Sequence, residues 1–308
     1  MSNYLPTLRQ LQYLVALNDH GHFGRAADAC FITQSTLSAA LRELETLLGT
    51  TLVERTRRVL RFTPLGLRVV AKARRVLREA EELTDLAQAE RTPLTGDLRL
   101  GVIPTIAPFL LPAMLPRLRA EFPGLKLYLR EETSQAACDG LHRGQLDCVL
   151  LALPYHCGDI DEAELFSDEL MIAVPAGEDT GSSVAPDDIA AGRLLLLEDG
   201  HCLKDHVLSA CNRPDLRSSA LMLGTSLHTL VQMVDNDLGV TLVPRMAVEA
   251  GLLDGTGVRV RPLAADHASR TIALVWRRGS ARAAEFNLLA DTLRRYAAER
   301  SQPTREAA

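Results

Sequence analysis

The sequence predicts an α/β protein with a helix-rich N-terminal head: a winged helix-turn-helix, a long linker helix, and a two-lobed, doubly wound α/β effector domain. Three observations predict it. Helical apolar periodicity runs through the first 48 residues, an apolar heptad repeat follows, and beyond residue 96 apolar strands alternate with helices. We expect the head at residues 1–63, the linker helix at 64–92 and the effector domain at 93–308.

The charge of the chain is divided unevenly between these parts. Residues 1–78 carry a net charge of +7 and the remainder carries −12, within a total of −5. A basic head on an acidic body indicates a polyanionic partner, double-stranded DNA, for the head alone. The sequence has no uncharged apolar run of 18 residues and no secretory leader, so we expect a cytoplasmic protein without a membrane partner.

The head is predicted to contain three helices. Apolar residues recur at helical spacing over 8–19, a short Ala-rich helix covers about 24–30, and a third helix spans 34–48. Thr33 is a typical N-cap for the third helix, and Gly49 is a typical stop. Two short helices joined by a tight turn are a helix-turn-helix.

Short polar side chains lie at the exposed start of the third helix, where a recognition helix reads base edges in the major groove. A predicted hairpin follows, with strands at 52–55 and 59–62 and an arginine-rich tip that suits the phosphate backbone. The alternative is an ordinary solvated helix face. The DNA-contacting candidates are Gln34, Ser35, Thr36, Ser38, Arg42, Arg55, Arg57 and Arg58.

Pro64 is a typical first residue for a long helix that reaches about Glu90. Its apolar residues follow alternating steps of four and three, which is a heptad seam that needs a partner helix. The seam consists of Val69, Ala73, Val76, Ala80, Leu83 and Ala87. We therefore expect a dimer, which also suits the paired half-sites that helix-turn-helix proteins read.

The effector domain is predicted to have one lobe at about 96–165 plus 269–308 and a second lobe at about 166–268. Hydroxyl side chains follow three strands where helices begin, at Thr105, Ser134 and Thr225. Ligands in such folds sit near strand ends and helix N-termini. These residues are candidates for the cleft between the lobes, and the alternative is that they only cap helices.

The head resembles the LysR-type transcriptional regulators. The resemblance covers some 60 residues and rests on 11–17, 22–27, 34–38, Gly49, Glu54-Arg55-Thr56 and Phe62-Thr63-Pro64-Leu65-Gly66. It implies a winged helix-turn-helix with Arg9 and Arg55 near phosphates, and a periplasmic-binding-protein-like effector domain.

A segment around Cys202 has the composition of a thiol redox site. His201, Lys204 and His206 crowd Cys202 in a polar segment that is predicted to open a helix, and such surroundings favour a thiolate. A second thiol at Cys211 could resolve a sulfenic acid as a disulfide. The alternative is two small core residues. The remaining cysteines are predicted to be inert; they are Cys30, Cys138, Cys148 and Cys157. No zinc site is expected, because the cysteines show no CxxC spacing.

The spacing of the two thiols predicts a conformational change on oxidation. If residues 203–211 are helical, nine rises of about 1.5 Å separate Cys202 and Cys211 by roughly 13 Å along the axis. A disulfide needs Cα atoms within about 7 Å. The bond therefore requires the segment to unwind or bend, and such a refolding could alter how the oligomer binds DNA.

Three segments resemble the hydrogen-peroxide-sensing members of the same family. They are 195–203, Gly101-Val102-Ile103-Pro104-Thr105 and 146–152. The resemblance implies that Cys202 is the peroxidatic thiol and Cys211 the resolving thiol. The implied peroxide-binding residues are Thr105, Ser134, His201, Asp205 and Thr225. Ser134 stands where that group commonly has threonine, and Lys204 stands where arginine is usual.

The resemblance also implies partners. It predicts no cofactor, with hydrogen peroxide as the signal, a homotetramer, RNA polymerase, and a thiol reductant such as glutaredoxin or thioredoxin. It implies an activator of antioxidant genes and not an enzyme. The alternative within the fold is a regulator of the same family that responds to a small organic effector in the cleft, with silent cysteines. A thiol peroxidase or a stand-alone solute-binding protein would not need the DNA-binding head.

Overall fold

The computed structural model describes residues 5–55, 60–89, 93–178, 181–213, 223–265 and 267–300. The chain divides into two compact units, residues 1–91 and 92–308. Among the described residues, no helix combines the length and the apolar character that crossing a membrane requires.

The first unit begins with the three predicted helices, α1 (Leu8–His20), α2 (Phe23–Ala29) and α3 (Gln34–Leu48). Leu14, Leu37 and Leu41 are buried in one core because the apolar sides of α1, α2 and α3 pack against one another. The Thr33 hydroxyl accepts the Thr36 N–H at 3.2 Å, which confirms it as the N-cap of α3. Gly49 ends α3 with a left-handed φ of 65°, as the sequence predicts.

The wing hairpin and the long helix follow. Strands β1 (Val53–Arg55) and β2 (Leu60–Phe62) pair antiparallel, and α4 spans Pro64–Ala89. The Glu45 carboxylate accepts the backbone N–H groups of Leu52 (2.8 Å) and Val53 (3.0 Å), so α3 holds the start of the hairpin. The predicted tip of the wing, Thr56-Arg57-Arg58, lies outside the described residues.

Helix α4 exposes large apolar side chains. Leu83 is 71% exposed, and Leu65 and Val76 are also exposed, two of them at predicted seam positions. An apolar groove on this unit is lined by residues of α1, α3 and α4, including Leu11, Leu48 and Val69. The dimer through this helix stays a prediction.

The second unit is an α/β fold around one large sheet. Its strands are β3 (Gly96–Val102), β4 (Leu125–Glu131), β5 (Cys148–Leu153), β6 (Ile160–Val174), β7 (Leu196–Leu197), β8 (Leu223–Gly224), β9 (Thr241–Pro244), β10 (Arg259–Pro262) and β11 (Ser269–Arg277). Its helices are α5 (Ala107–Glu121), α6 (Ser134–Arg143), α7 (Cys202–Ala210), α8 (Leu227–Asp235), α9 (Arg245–Glu249) and α10 (Ala283–Arg300).

The large sheet has the order β10-β6-β11-β5-β3-β4, and β9 also pairs with β6. Strand β3 is parallel to β4 and β5, as the alternating pattern predicts, while β11 is antiparallel to both β5 and β6. Strand β6 is 15 residues long, and the predicted lobe boundary at 165/166 falls inside it. A separate small sheet is formed by β7 and β8, which are parallel.

Candidate redox site

The two thiols singled out by the sequence lie at opposite ends of one helix. Cys202 is the first residue of α7, and Cys211 is its C-cap. Both are free and buried, at 1% exposure each. The helix expected between them is therefore present. At about 1.5 Å per residue the thiols are separated by roughly 13 Å along the helix axis.

Helix α7 contacts two parts of the second unit. It packs against β7 on one side and against β5 and β11 of the large sheet on the other. At its N-terminus the backbone N–H of Gln135, in α6, donates to the Gly200 carbonyl at 3.2 Å. Gly200 has a φ of +93°, which allows the chain to turn into α7 where a side chain would be strained.

The surroundings of Cys202 contain groups that favour its thiolate, yet burial dominates. The Ser134 hydroxyl, the backbone amide of Ala152 and the charge of Arg270 each lower the pKa of Cys202, but desolvation is the larger effect and the pKa is raised. The Ser134 oxygen also accepts the Cys202 N–H at 3.1 Å. The prediction that these surroundings favour a thiolate is therefore wrong, because Cys202 is buried.

The side chains predicted to place positive charge beside Cys202 do not do so in the structure. Burial lowers the pKa of His201 and of His206, so both imidazoles favour the neutral form. The Lys204 ammonium lies 2.6 Å from Asp199, in an ion pair. The positive charge that acts on Cys202 comes from Arg270, which the sequence analysis did not select.

Arg270 is a fully buried arginine at the start of β11. Its guanidinium donates to the Asp168 carboxylate at 3.0 Å, to the Thr105 hydroxyl at 2.8 Å and to the Thr105 carbonyl at 3.0 Å. The Asp168 carboxylate also accepts the Met246 N–H at 3.0 Å. The arginine thus joins the loop after β3 to β6 and α9, and it holds Thr105 near the thiol site.

The other predicted peroxide-binding residues differ in their placement. Asp205 is half-buried and lines a polar pocket that also includes Gln135, Tyr155 and Glu162. Burial is the main cause of the raised pKa of Tyr155, and the electrostatic effects of Cys202 and Asp205 add to it. Thr225 is exposed, and its neighbour Ser226 is the N-cap of α8. The structure therefore places Ser134 and Asp205 beside Cys202 and links Thr105 to the site through Arg270, while no described contact joins Thr225 to Cys202.

The predicted DNA-binding side chains are on the surface of the first unit. Arg9, Gln34, Ser35, Thr36 and Arg42 are exposed, and Ser38 is half-buried. The Thr33 hydroxyl lies 2.8 Å from both the Ser35 and the Thr36 hydroxyls, which orders the start of α3. Arg57 and Arg58 lie outside the described residues, and of Arg55 only the backbone is described.

One prediction about the remaining cysteines needs correction. Cys138 and Cys157, expected to be inert, are joined in a disulfide with a Cα–Cα distance of 5.4 Å. The sequence does not predict this pairing, because 19 residues separate the two cysteines and no local pattern links them. Cys148 is a free thiol inside β5, and burial raises its pKa strongly. Within the described ranges, no three His, Cys, Asp or Glu residues are grouped to hold a metal ion.

Comparisons with known proteins agree with this architecture. Residues 8–67 match the bacterial regulatory helix-turn-helix domain of the lysR family, and residues 91–298 match the LysR substrate binding domain. The chain belongs to the LysR family of transcriptional regulators. A LysR regulator binds DNA through its helix-turn-helix, which here is formed by α2 and α3.

Individual LysR relatives carry two kinds of name. The HTH-type transcriptional regulator EstR of Acinetobacter baylyi is 41% identical, with 96% of this chain and 98% of EstR covered. The DNA-binding transcriptional dual regulator OxyR of Escherichia coli is 39% identical, with 93% and 94% covered. A full-length OxyR variant from Pseudomonas aeruginosa superposes with a TM-score of 0.79 at 34% identity, covering 99% of this chain and 100% of that one.

Removal of the Ser134 hydroxyl should shift the titration of Cys202. Because that hydroxyl lowers the pKa of Cys202, we expect Ser134→Ala to raise it further and to move the pH dependence of Cys202 alkylation by iodoacetamide to higher pH. In both proteins the rate should rise with pH, since only the thiolate reacts and its fraction grows as pH approaches the raised pKa. Ser134→Thr, which keeps the hydroxyl, is the control and should show nearly the parental pH dependence. The same pH dependence in all three proteins would contradict the assignment.

Proposed function

We propose that the chain is a hydrogen-peroxide-sensing LysR regulator whose switch is the Cys202 and Cys211 pair. The Cys202 thiolate attacks one peroxide oxygen, the O–O bond breaks, and the departing hydroxide leaves as water after taking a proton. The resulting sulfenic acid is attacked by the Cys211 thiolate, which forms the disulfide and releases a second water. Peroxide thus accepts two electrons from the two thiols.

The observation that carries this proposal is the position of two free thiols at the two ends of one buried helix. At Cys202 the attacking thiolate would be stabilised by the Ser134 hydroxyl, the Ala152 amide and the Arg270 charge. Burial keeps the resting group a thiol, which limits reaction with weaker oxidants. Thr105, Ser134, His201, Asp205 and Thr225 remain the proposed peroxide-binding residues, with Thr225 the least supported.

The disulfide would change the packing of the second unit. Thiols separated by roughly 13 Å along a helix cannot bond while that helix is intact, because a disulfide needs Cα atoms within about 7 Å. Since α7 packs against β5, β7 and β11, its unwinding would remove contacts with both sheets. Two packings of one segment are the two-state element that a redox switch needs.

Formation of the disulfide is proposed to change how the protein binds promoter DNA. The exposed apolar residues of α4 and the groove beside them support a dimer, and a tetramer is the further assembly we propose. Such an oligomer would place several heads on paired half-sites. RNA polymerase is the proposed target of activation, and glutaredoxin or thioredoxin would restore the thiols.

A second candidate is a LysR regulator that responds to a small organic effector in the cleft between the lobes; the chain is also 41% identical to EstR, a regulator whose name does not refer to peroxide. In that case the thiols would be silent. The two candidates differ in one result: only the redox switch requires Cys202 for its response.

Footprinting of the full-length protein on a promoter beside its gene tests the proposal. We expect peroxide to change the protected length for the parent protein and to have no effect on Cys202→Ser. Cys30→Ser, which removes a free cysteine of the DNA-binding head, is the control and should respond like the parent. A normal peroxide response from Cys202→Ser would overturn the proposal. A parent that ignores peroxide but is stabilised against heat by an organic ligand would establish the second candidate.

A further inference from the structure

The Cys138–Cys157 disulfide lies beside the candidate redox site without belonging to it. Cys138 is in α6, one helical turn after Ser134, and Cys157 is in the loop between β5 and β6. Both side chains are buried, at 4% and 3% exposure. The bond therefore ties α6 to this loop close to the residue that contacts Cys202.

One face of α6 carries the connection. Ser134, Cys138 and His142 are spaced by four residues and so lie on the same side of the helix. Ser134 accepts the Cys202 N–H, Cys138 bonds to Cys157, and the His142 Nε2 atom lies 2.6 Å from the Cys157 carbonyl oxygen. This face thus contacts both the loop and the start of α7.

The loop in turn contacts α7 directly. The Pro154 carbonyl oxygen lies 3.0 Å from the His206 Nε2 atom, one turn along α7 from Cys202. The Tyr155 hydroxyl donates to the Gln135 side chain at 3.4 Å, which is a second link between the loop and α6. Residues 134–142, 154–157 and 200–206 therefore form a closed set of contacts, which we call the α6–loop–α7 frame.

We propose that Cys138 and Cys157 are a second redox pair, and that their disulfide is a positioning bond that holds the N-terminal turn of α7, with Cys202, in its buried position. Its formation converts two thiols and one hydrogen peroxide into one disulfide and two waters. With the bond formed, α6 and the loop cannot separate, so α7 keeps its contacts with Ser134 and Pro154. The Gln135 N–H likewise keeps its bond to the Gly200 carbonyl, just before α7. The inference deepens the proposed function and rests on it for the oxidant.

The physical basis is the local opening of α7. A buried thiol reacts only when its surroundings open transiently, and the frequency of opening depends on the contacts that must be lost. A cross-link restricts the open states more than the closed one, because the open states are more disordered. Without the bond, α7 should open more often, and Cys202 should then react faster.

Peptide-resolved mass spectrometry of the full-length protein tests the inference. In protein prepared without reductant we expect Cys138 and Cys157 to be joined, with Cys202 and Cys211 free. We expect Cys202 to be alkylated by iodoacetamide about tenfold faster in Cys138→Ala/Cys157→Ala than in the parent. Cys148 provides the internal reference, since it is fully buried in β5 and reports opening of the whole unit. The rate of Cys202 is therefore expressed relative to that of Cys148.

A second measurement avoids substitutions. Parent protein with the bond reduced by dithiothreitol should show the same relative increase at Cys202, even if the double variant folds poorly. An equal rise at Cys202 and Cys148 would make the bond merely structural and would overturn the inference, as would free thiols at Cys138 and Cys157 after peroxide treatment. The proposed function fails separately, if the bond alters Cys202 reactivity but peroxide leaves the promoter footprint unchanged.

Discussion

Arg270→Ala should destabilise the second unit by about 3–5 kcal/mol, the cost of breaking a buried ion pair on one side. The substitution leaves the Asp168 carboxylate, whose side chain is 2% exposed, without its positive partner. It also removes the donors to the Thr105 hydroxyl and carbonyl. Urea denaturation followed by circular dichroism measures the change.

Arg278→Ala is the matched control for this prediction. Arg278 pairs with Asp159 and Asp161, but its side chain is 64% exposed, so its loss should cost less than about 1 kcal/mol. Arg270→Lys adds a test of geometry, because lysine keeps the charge and loses the planar fork that reaches Asp168 and Thr105 together. We expect it to be intermediate. If Arg270→Ala were as stable as Arg278→Ala, the central role of the buried guanidinium would be refuted.

Gly66→Ala should destabilise the DNA-binding head by about 1–3 kcal/mol and weaken promoter binding. Helix propensity alone predicts the opposite effect, because alanine stabilises a helix by about 1 kcal/mol relative to glycine. The expected loss has a steric cause: a Cβ atom at Gly66 would overlap the Leu52 carbonyl oxygen. That oxygen is held in place by the Thr63 N–H at 2.9 Å, so it has little freedom to move away.

Leu67→Ala, at the next position of α4, is the control for Gly66→Ala. Its side chain is 53% exposed, and we expect its effect on the stability of the head to be within about 0.5 kcal/mol. Thermal unfolding of the purified variants measures the change in stability, and a gel-shift titration on promoter DNA measures the change in binding. A Gly66→Ala protein with unchanged stability would show that α4 can shift away from the wing at little cost.

Much of the head could be predicted from the sequence because its signals are local. Helix α3 has the expected bounds, since Thr33 and Gly49 mark its ends chemically and the apolar stripe between them has a clear period. The helix between Cys202 and Cys211 was likewise predictable. The parallel strands β3, β4 and β5 followed from the alternation of strands with helices.

The features that the sequence did not reveal depend on long-range contacts. Strand β6 carries acidic residues such as Glu162 and Glu164 on its exposed side. Its full length therefore does not show as an apolar run in the sequence. Arg270 looks like any surface arginine until Asp168 and Thr105 are placed beside it. The polar residues around Cys202 indicated surroundings that favour a thiolate, and only the packing of α7 shows that the thiol is buried.

Arg270 also determines when the candidate thiol site can assemble as the chain is synthesised. Its partners Thr105 and Asp168 precede it by 165 and 102 residues, and β11 occupies the place between β5 and β6. Contacts of such separation form late, because a long stretch of chain must first be closed into a loop. The head needs only its own local contacts and can fold as it emerges. A nascent chain would thus acquire a DNA-binding surface well before it acquires the thiol site that is proposed to control it.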